Sequence, residues 1–438
     1  MKEHNKIPTG KVKRASKVIT SGAKVGGNYI KYYAKKAIGN KNAKDELDEA
    51  NADEIYNTLS ELKGGALKAA QIMSMDKGFL PTAFQEKFAQ AQYKVPPLSY
   101  PLVVKTFKTY FQKSPLEIFD SFTKHAVNAA SIGQVHKAEK NGETFAVKVQ
   151  YPGVAESISS DLKLVKPIAS RVLKLKEKDI EKYFNEVESK LKEETDYVHE
   201  INQSIEMSKA CKQINNITFP TYYKELSNEK ILTMSWVDGQ PLSEFLKTDP
   251  SQEVKNKIAQ TIWDFYTYQM NVLKALHADP HPGNFLITND HKVAAIDFGC
   301  IKRIPDDFYV SYAKFLDESL YENKEKFTET LYELEFLLPT DSDYEKKVYY
   351  DLFRDIIPLF STPFRAKTFD FKSTGFMQQV NEYAQKLSTD KELRKLNNAR
   401  GSEHLLFVNR TNFGLFAIMD SLNACVDNKY MLELATKN

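Results

Sequence analysis

Cysteine is scarce in this chain: Cys211, Cys300 and Cys425 are the only three in 438 residues, and they lie far apart. An odd, scattered set excludes a disulfide framework and a thiolate zinc site, and it fits a reducing cytoplasm. Long apolar runs are missing as well. The nearest approach, Leu405 to Met419, is interrupted by Asn409, Arg410, Thr411 and Asn412. That falls short of the roughly 18 uninterrupted apolar residues a membrane-crossing helix needs, so no transmembrane helix is expected. Lysine and glycine break every candidate for a signal-peptide core near the N-terminus. There is no internal repeat and no low-complexity tract, which excludes solenoids and extended disorder.

What is present is ordinary globular material, 42% hydrophobic and 27% charged, in a chain long enough for two or three compact units. The charge is uneven. Met1 to Lys36 holds ten lysines and arginines against the single acid Glu3, so the remainder is net negative. Val12, Val18, Ile19, Val25, Tyr29, Ile30, Tyr32 and Tyr33 are interleaved with these cations. The segment reads equally as a peripheral contact with an anionic lipid surface and as a flexible basic tail.

The acidic run from Asp45 to Glu54 leads into Ile55 to Met75, where apolar residues recur at helical spacing. Gly78 and Pro81 stop that pattern, and a second helical stretch covers Phe84 to Tyr93. From Phe122 the period changes. Ser131 to Lys137 and Glu143 to Gln150 read as two strands joined by an Asn141-Gly142 turn. A long helical region from Ile158 to Lys212 follows, then a strand-like Ile231 to Val237. Beyond Pro241 the pattern is mainly helical, with two short apolar strands at Phe285 to Ile287 and Val293 to Ile296. The expected divisions are a basic segment at 1–52, a helical unit at 53–121, a small mixed lobe at 122–238 and a larger helical lobe at 239–438.

Two stretches carry the chemistry. His277-Ala278-Asp279-Pro280-His281-Pro282-Gly283-Asn284 puts an Asp and an Asn five positions apart, and Asp297-Phe298-Gly299 begins 13 positions after Asn284. Protein kinases have H-R-D-x-x-x-x-N and D-F-G in the same order and at similar separation, with Ala278 here in place of the Arg. Upstream, Phe145-Ala146-Val147-Lys148 resembles the V-A-I-K strand, whose Lys meets the α- and β-phosphates and pairs with a helix Glu. Glu194, Asp196 and Glu200 are the candidate partners, close enough along one helix to share a face. Phosphoryl transfer needs just these groups: a cation on the phosphates, two metal-holding side chains and a carboxylate near the acceptor. The glycine-rich phosphate loop is not kept, since of its glycines only Gly133 survives in Asn128 to Val135. That loss, and the absence of an A-P-E element, argue against ordinary protein-kinase activity.

Together these residues resemble the ABC1/UbiB family, also called AarF-domain or ADCK-type atypical kinases, over roughly Asp53 to Pro305. Ala129-Ala130-Ser131-Ile132-Gly133-Gln134-Val135-His136 is similar to the family's alanine-rich loop, Glu194-Thr195-Asp196-Tyr197 to its E-x-D motif, and Asp279 to Phe285 to its D-P-H-P-G-N-F loop. Lys68-Ala69-Ala70-Gln71 stands where the family has K-x-G-Q, with Ala70 replacing the Gly. Asn128 replaces a third Ala that the family often has.

The resemblance implies an α+β, bilobal protein-kinase-like fold with a small mixed N-lobe and a mainly helical C-lobe. An N-terminal helical extension would cover the nucleotide cleft through Lys68, Gln71, Glu194 and Asp196. It implies ATP or ADP and Mg²⁺ as cofactors. The nucleotide would be bound by Lys148, Glu200, Ala129, Ala130, Ser131, Gly133, Val135, Met234 and Val237, the metal by Asn284 and Asp297, and Asp279 would orient or deprotonate the acceptor. The implied role is an ATPase or small-molecule phosphotransferase supporting isoprenoid quinone or related lipid metabolism. The implied partners are an anionic lipid surface and an isoprenoid lipid or quinone-pathway protein, with no nucleic acid. Two other readings stay open: a small-molecule kinase of the aminoglycoside or choline phosphotransferase kind, and a nucleotide-dependent scaffold without turnover.

Overall fold

The computed structural model describes residues 11–37, 40, 42–62, 87, 97–129, 132–173, 177–390, 393, 396 and 400–429. It is a mixed α+β chain that divides into two compact units, the first running to Asn202 with Thr221–Trp236 added, the second comprising Gln203–Pro220 and Val237 onward.

In the first unit, α1 (Lys11–Ala37) and α2 (Ala43–Leu62) pair side by side. Ion pairs Lys24–Glu54 and Lys35–Glu46 and an Asn28–Asn51 hydrogen bond join them. The acidic run is thus part of a helix that starts at Ala43, ahead of the expected Ile55. Asp45 and Glu46 occupy its first turn, where the helix dipole favours anions. Leu47, Asn51, Ile55 and Leu59, four apart, form its buried stripe. Ile19, Tyr29, Ile30 and Tyr33 of α1 remain exposed.

Helix α3 (Tyr100–Tyr110) precedes the sheet of β1 (Ser121–Phe122), β2 (Asn128–Ala129), β3 (Gly133–Lys140) and β4 (Glu143–Gln150). Asn141 and Gly142 both have positive φ, 51° and 81°, so the connection is the two-residue turn whose twist suits a hairpin. Strand β3 is accordingly shifted from the expected Ser131–Lys137, running on to the turn itself. Side chains alternate across β4. Phe145, Val147 and Val149 pack on Val103, Phe107 and Phe119, while Ala146 packs with Tyr197 and Ile201 on the other face.

The single helix expected over Ile158 to Lys212 is three: α4 (Val154–Leu173), α5 (Glu177–Glu194) and α6 (Tyr197–Ala210). The break at Thr195 has a local cause. Asp196 turns its carboxylate onto the backbone N–H groups of Val198 and His199, 3.0 Å each, capping α6 and ending α5. Gln150 Nε2 fastens the junction to the end of β4 by donating to the Thr195 carbonyl at 2.9 Å.

The second unit contains β5 (Ile217–Thr218). Strand β6 (Ile231–Ser235) belongs to the first unit and completes its sheet against β4. It ends two residues before the expected Val237. The second unit continues with β7 (Gly239–Pro241), α7 (Leu242–Leu246) and α8 (Gln252–Tyr268), then β8 (Ala275–His277), β9 (Phe285–Thr288), β10 (Val293–Ala295) and β11 (Ile301–Arg303). Strands β5, β10, β9 and β7 form one sheet in that order, and β8 pairs with β11. Helices α9 (Asp306–Ala313), α10 (Lys324–Glu333), α11 (Asp343–Arg365), α12 (Phe376–Thr389) and α13 (Leu405–Ser421) follow, and β12 (Thr368–Asp370) pairs with β13 (Cys425–Asp427). The aromatic residues between Phe308 and Phe371 join an apolar core with α8 and α13. No helix among the described residues is long and apolar enough to cross a membrane. The apolar stretch from Leu405 to Met419 is a core helix instead.

Burial of Asp264 in α8, with Asp427 adding repulsion, raises its carboxyl to about 6. A raised carboxylate favours the fold while it is protonated, so this contribution is present below pH 4 and is lost as pH rises through 6. Asp264→Asn is therefore expected to raise the melting temperature at pH 8 by a few degrees, about 1–2 kcal/mol after allowing for partial exposure. The gain should vanish at pH 4, and melts at the two pH values check it.

Candidate functional site

In the first unit the structure brings Lys148 and Glu200 together. Lys148 lies on the β4 face turned toward α6, 7% exposed, and its Nζ donates to Glu200 Oε1 at 2.7 Å. Glu200 is 3% exposed. The ammonium also lies 5.1 Å from the centroid of the Tyr197 ring, a cation–π distance. Val135 sits opposite Lys148 in the β3–β4 register, and Met234 opposite Ala146 in the β4–β6 register, so both border the pair.

Gly133 explains itself here. A Cβ on it would stand 2.7 Å from Tyr197 Oη and 2.8 Å from the Val149 carbonyl oxygen. Only glycine lets β3 pass so close to the α6 start. Ala129, half-buried, lies in the short β2 and is paired with Gln134. Val237 lies past the end of β6, in the second unit.

Glu194, Asp196 and Glu200 do not share a helix face, because α5 ends between the first two. Glu194 is buried at the end of α5, Asp196 is exposed as the α6 cap, and Glu200 is buried in the first turn of α6. Ala130, Ser131, Lys68 and Gln71 lie outside the described residues.

In the second unit a compact network positions Asp279, Asn284 and Asp297. The β8–β11 ladder pairs His277 with Ile301, and Ala278 N–H donates to the Cys300 carbonyl at 2.8 Å. The segments before Asp279 and after Gly299 therefore start from one scaffold. Cys300 is a small buried member of it. Asn284 Nδ2 donates to the Asp279 carbonyl at 2.8 Å, and His281 N–H to the same oxygen at 2.7 Å. Ile296 N–H donates to the Asn284 carbonyl at 3.1 Å, which sets Asn284 beside the strand end that carries Asp297. Asp297 Oδ1 accepts from Gly299 N–H at 2.8 Å.

His277 ties the two motifs together. Its Nε2 must donate to the Asp297 carbonyl, 2.7 Å away, which leaves Nδ1 to accept from the Tyr266 hydroxyl at 3.1 Å. Burial first of all lowers the imidazole below its ordinary value, against the opposing pull of Asp279 and Asp297. Burial, reinforced by the charge of Asp279, pushes the Tyr266 hydroxyl well above its own. The neutral, protonated forms match the hydrogen bonds.

Asn284 and Asp297 offer an amide and a carboxylate oxygen, hard donors of the kind Mg²⁺ takes. Among the described residues no group of three or more His, Cys, Asp and Glu forms a protein-only metal cage. A divalent ion held by this pair would complete its shell with phosphate and water oxygens, the usual habit of Mg²⁺.

Sequence reasoning gave no site role to Tyr197, whose ring faces Lys148, and missed Arg410, whose guanidinium donates to Asp279 Oδ1 at 2.5 Å. Tyr197 was within reach, adjoining the E-x-D stretch. Arg410 comes from α13, and no local pattern connects it with Asp279.

Three comparisons bear on this arrangement. A profile of the ABC1 atypical kinase-like domain matches residues 90–331. The mitochondrial atypical kinase COQ8 of Saccharomyces cerevisiae is 29% identical over 384 residues, covering 85% of this chain and 75% of that protein. The mitochondrial atypical kinase COQ8B of Danio rerio is 26% identical over 390 residues, covering 86% of this chain and 62% of its own. Among solved structures, Rv3197 of Mycobacterium tuberculosis in complex with erythromycin is similar, with a TM-score of 0.59 and 25% identity. That match covers 89% of this chain and 96% of the other.

Proposed function

This chain belongs to the ABC1 atypical kinase-like family, and on that footing we propose that it is a Mg²⁺-dependent ATPase or small-molecule phosphotransferase rather than a kinase of proteins. The observation that carries the reading is the second unit's network, in which Asn284 is bonded to both the Asp279 carbonyl and the strand end before Asp297. A loop that merely turned a corner would not need the Asn284 amide to close it on the Asp279 carbonyl.

In this reading Lys148 neutralises the α- and β-phosphates and Glu200 keeps its ammonium aimed. Gly133, Val135, Ala129 and Met234 border the nucleotide. Asn284 and Asp297 would hold Mg²⁺, which when bound supplies charge neutralisation on the phosphate oxygens. Asp279 orients the acceptor hydroxyl or water. The reading requires both sets of groups to act on one nucleotide. Lys68 and Gln71 belong to the extension that, paired with Glu194 or Asp196, would cover it and exclude a protein substrate. The pathway is isoprenoid-quinone or related lipid metabolism, with an anionic lipid surface as partner. The exposed Ile19, Ile30 and Tyr33 of the basic α1 support that partner.

The test is ADP release by the full chain with Mg²⁺, with EDTA, and with phosphatidylglycerol or phosphatidylcholine vesicles. Metal-dependent release that anionic vesicles raise is the expected result, and its absence in every arm refutes the enzyme reading. A second reading, phosphorylation of a small polar molecule, draws on the macrolide-bound relative. Phosphate transferred to an aminoalcohol or a macrolide, in place of ADP release to water, would favour it.

A further inference from the structure

One face of α13 grips the Asp279 loop at two successive points. Arg410 is 3% exposed, and its Nη2 donates to Asp279 Oδ1. One turn further along, a Cβ on Gly414 would stand 2.3 Å from Pro280 Cγ and 2.9 Å from the Pro280 carbonyl oxygen. Residues four apart lie on the same side of a helix. The helix therefore holds Asp279 by charge and admits Pro280 through the lack of a side chain.

The depth of the guanidinium matters. A charge so far from water is tolerated only when it is paired, so Arg410 and Asp279 specify each other. Ala278 supplies no cation where the kinase motif has Arg, and Arg410 brings one from 131 positions away. Both Arg410 and Gly414 lie beyond residue 331, outside the stretch that matches the family profile. Tyr266 and His277 press on the same loop from α8 and β8, and Asp297 from the end of β10; none of them carries a fixed positive charge.

We propose that Arg410, backed by Gly414, is the positioning residue for Asp279: α13 fixes the plane of that carboxylate and with it the direction in which an acceptor hydroxyl or water is held. The proposal rests on the phosphotransfer reading of Asp279. A carboxylate on a loop can rotate about χ1 and χ2, and an acceptor bound to a rotating group spends little time aligned for attack. Anchoring one oxygen to a guanidinium whose own helix is locked by the Gly414–Pro280 contact removes that freedom.

Steady-state Mg·ATP turnover by the full chain separates this role from a purely structural one. Arg410→Gln should lower kcat by about 10²-fold, the scale of a small misplacement at a reacting centre, with KM for ATP within about twofold of wild type. Arg410→Lys keeps a cation without the fork and should recover about tenfold of that loss. A kcat in Arg410→Gln within threefold of wild type, or no recovery in Arg410→Lys, overturns the proposal. A melting cycle needs no turnover at all. Arg410→Gln and Asp279→Asn should each lower the melting temperature, and the double variant should be no less stable than the worse single one. Losses that add overturn the pairing. If the wild-type chain releases no ADP, the phosphotransfer reading falls alone, and the melting cycle still decides whether α13 clamps Asp279.

Discussion

Asp297→Asn is expected to cut Mg²⁺-dependent ATP turnover by at least about 10³-fold, several kcal/mol of lost charge stabilisation, while leaving the melting temperature within about 2 °C. The two halves of that expectation come from different atoms. Among the bonds that tie Asp297 into the fold, its carbonyl accepts from His277 and one carboxylate oxygen accepts from Gly299 N–H. An asparagine keeps the carbonyl and offers its own Oδ1 to Gly299. What it cannot offer is a negative charge to a divalent cation. Binding of nucleotide without metal should be unchanged, because Lys148 and Glu200 are untouched. Phosphate release, a melting curve and nucleotide titration in EDTA measure the three quantities. Turnover within tenfold of wild type would remove Asp297 from the metal and leave the D-F-G as a turn after a buried strand.

The parts of this molecule that could be read from the sequence are those whose cause is local. Asn141-Gly142 announced the hairpin because only a few residues tolerate two consecutive positive φ values, and both positions have them. The D-P-H-P-G-N spelling announced a loop whose own side chains close it, as the Asn284–Asp279 bond does. The long helix read across Ile158 to Lys212 failed for an equally physical reason. Helical periodicity runs through Thr195, yet an Asp that caps backbone N–H groups ends one helix and begins another without any Gly or Pro. The early start of α2 was hidden because a row of acids reads as solvated surface, and here it is the outer face of a helix whose Leu47 to Leu59 stripe lies inside. Gly133 was legible as a surviving glycine but not for its purpose, since the clash it avoids is with Tyr197, far along the chain. Arg410 lay beyond any reading of spacing: it looked like one of four polar interruptions in an apolar run.

Glu200→Ala is expected to have the largest effect on stability, about 3–5 kcal/mol, since it leaves the ammonium of Lys148 buried without its carboxylate. At about 2–4 °C per kcal/mol the melting temperature should fall by roughly 10 °C. The pair is nearly sealed from water, with the ring of Tyr197 behind it, so little solvent is at hand to take over the role of Glu200. Replacing both partners with apolar residues of similar size, Lys148→Met with Glu200→Leu, should restore most of the loss, because an apolar contact between β4 and α6 costs nothing in desolvation. Turnover should not return. If Lys148 served only to hold the strand to the helix, the apolar pair would do that as well as the charged one, and the double variant would work. If it serves the α- and β-phosphates, the double variant folds, melts close to wild type and releases no ADP. A double variant that melts normally and turns over ATP at more than about a tenth of the wild-type rate would sink the assignment of Lys148. A buried ion pair is a poor way to add stability, so its presence between β4 and α6 makes sense where a cation must be kept at a fixed position with its charge intact.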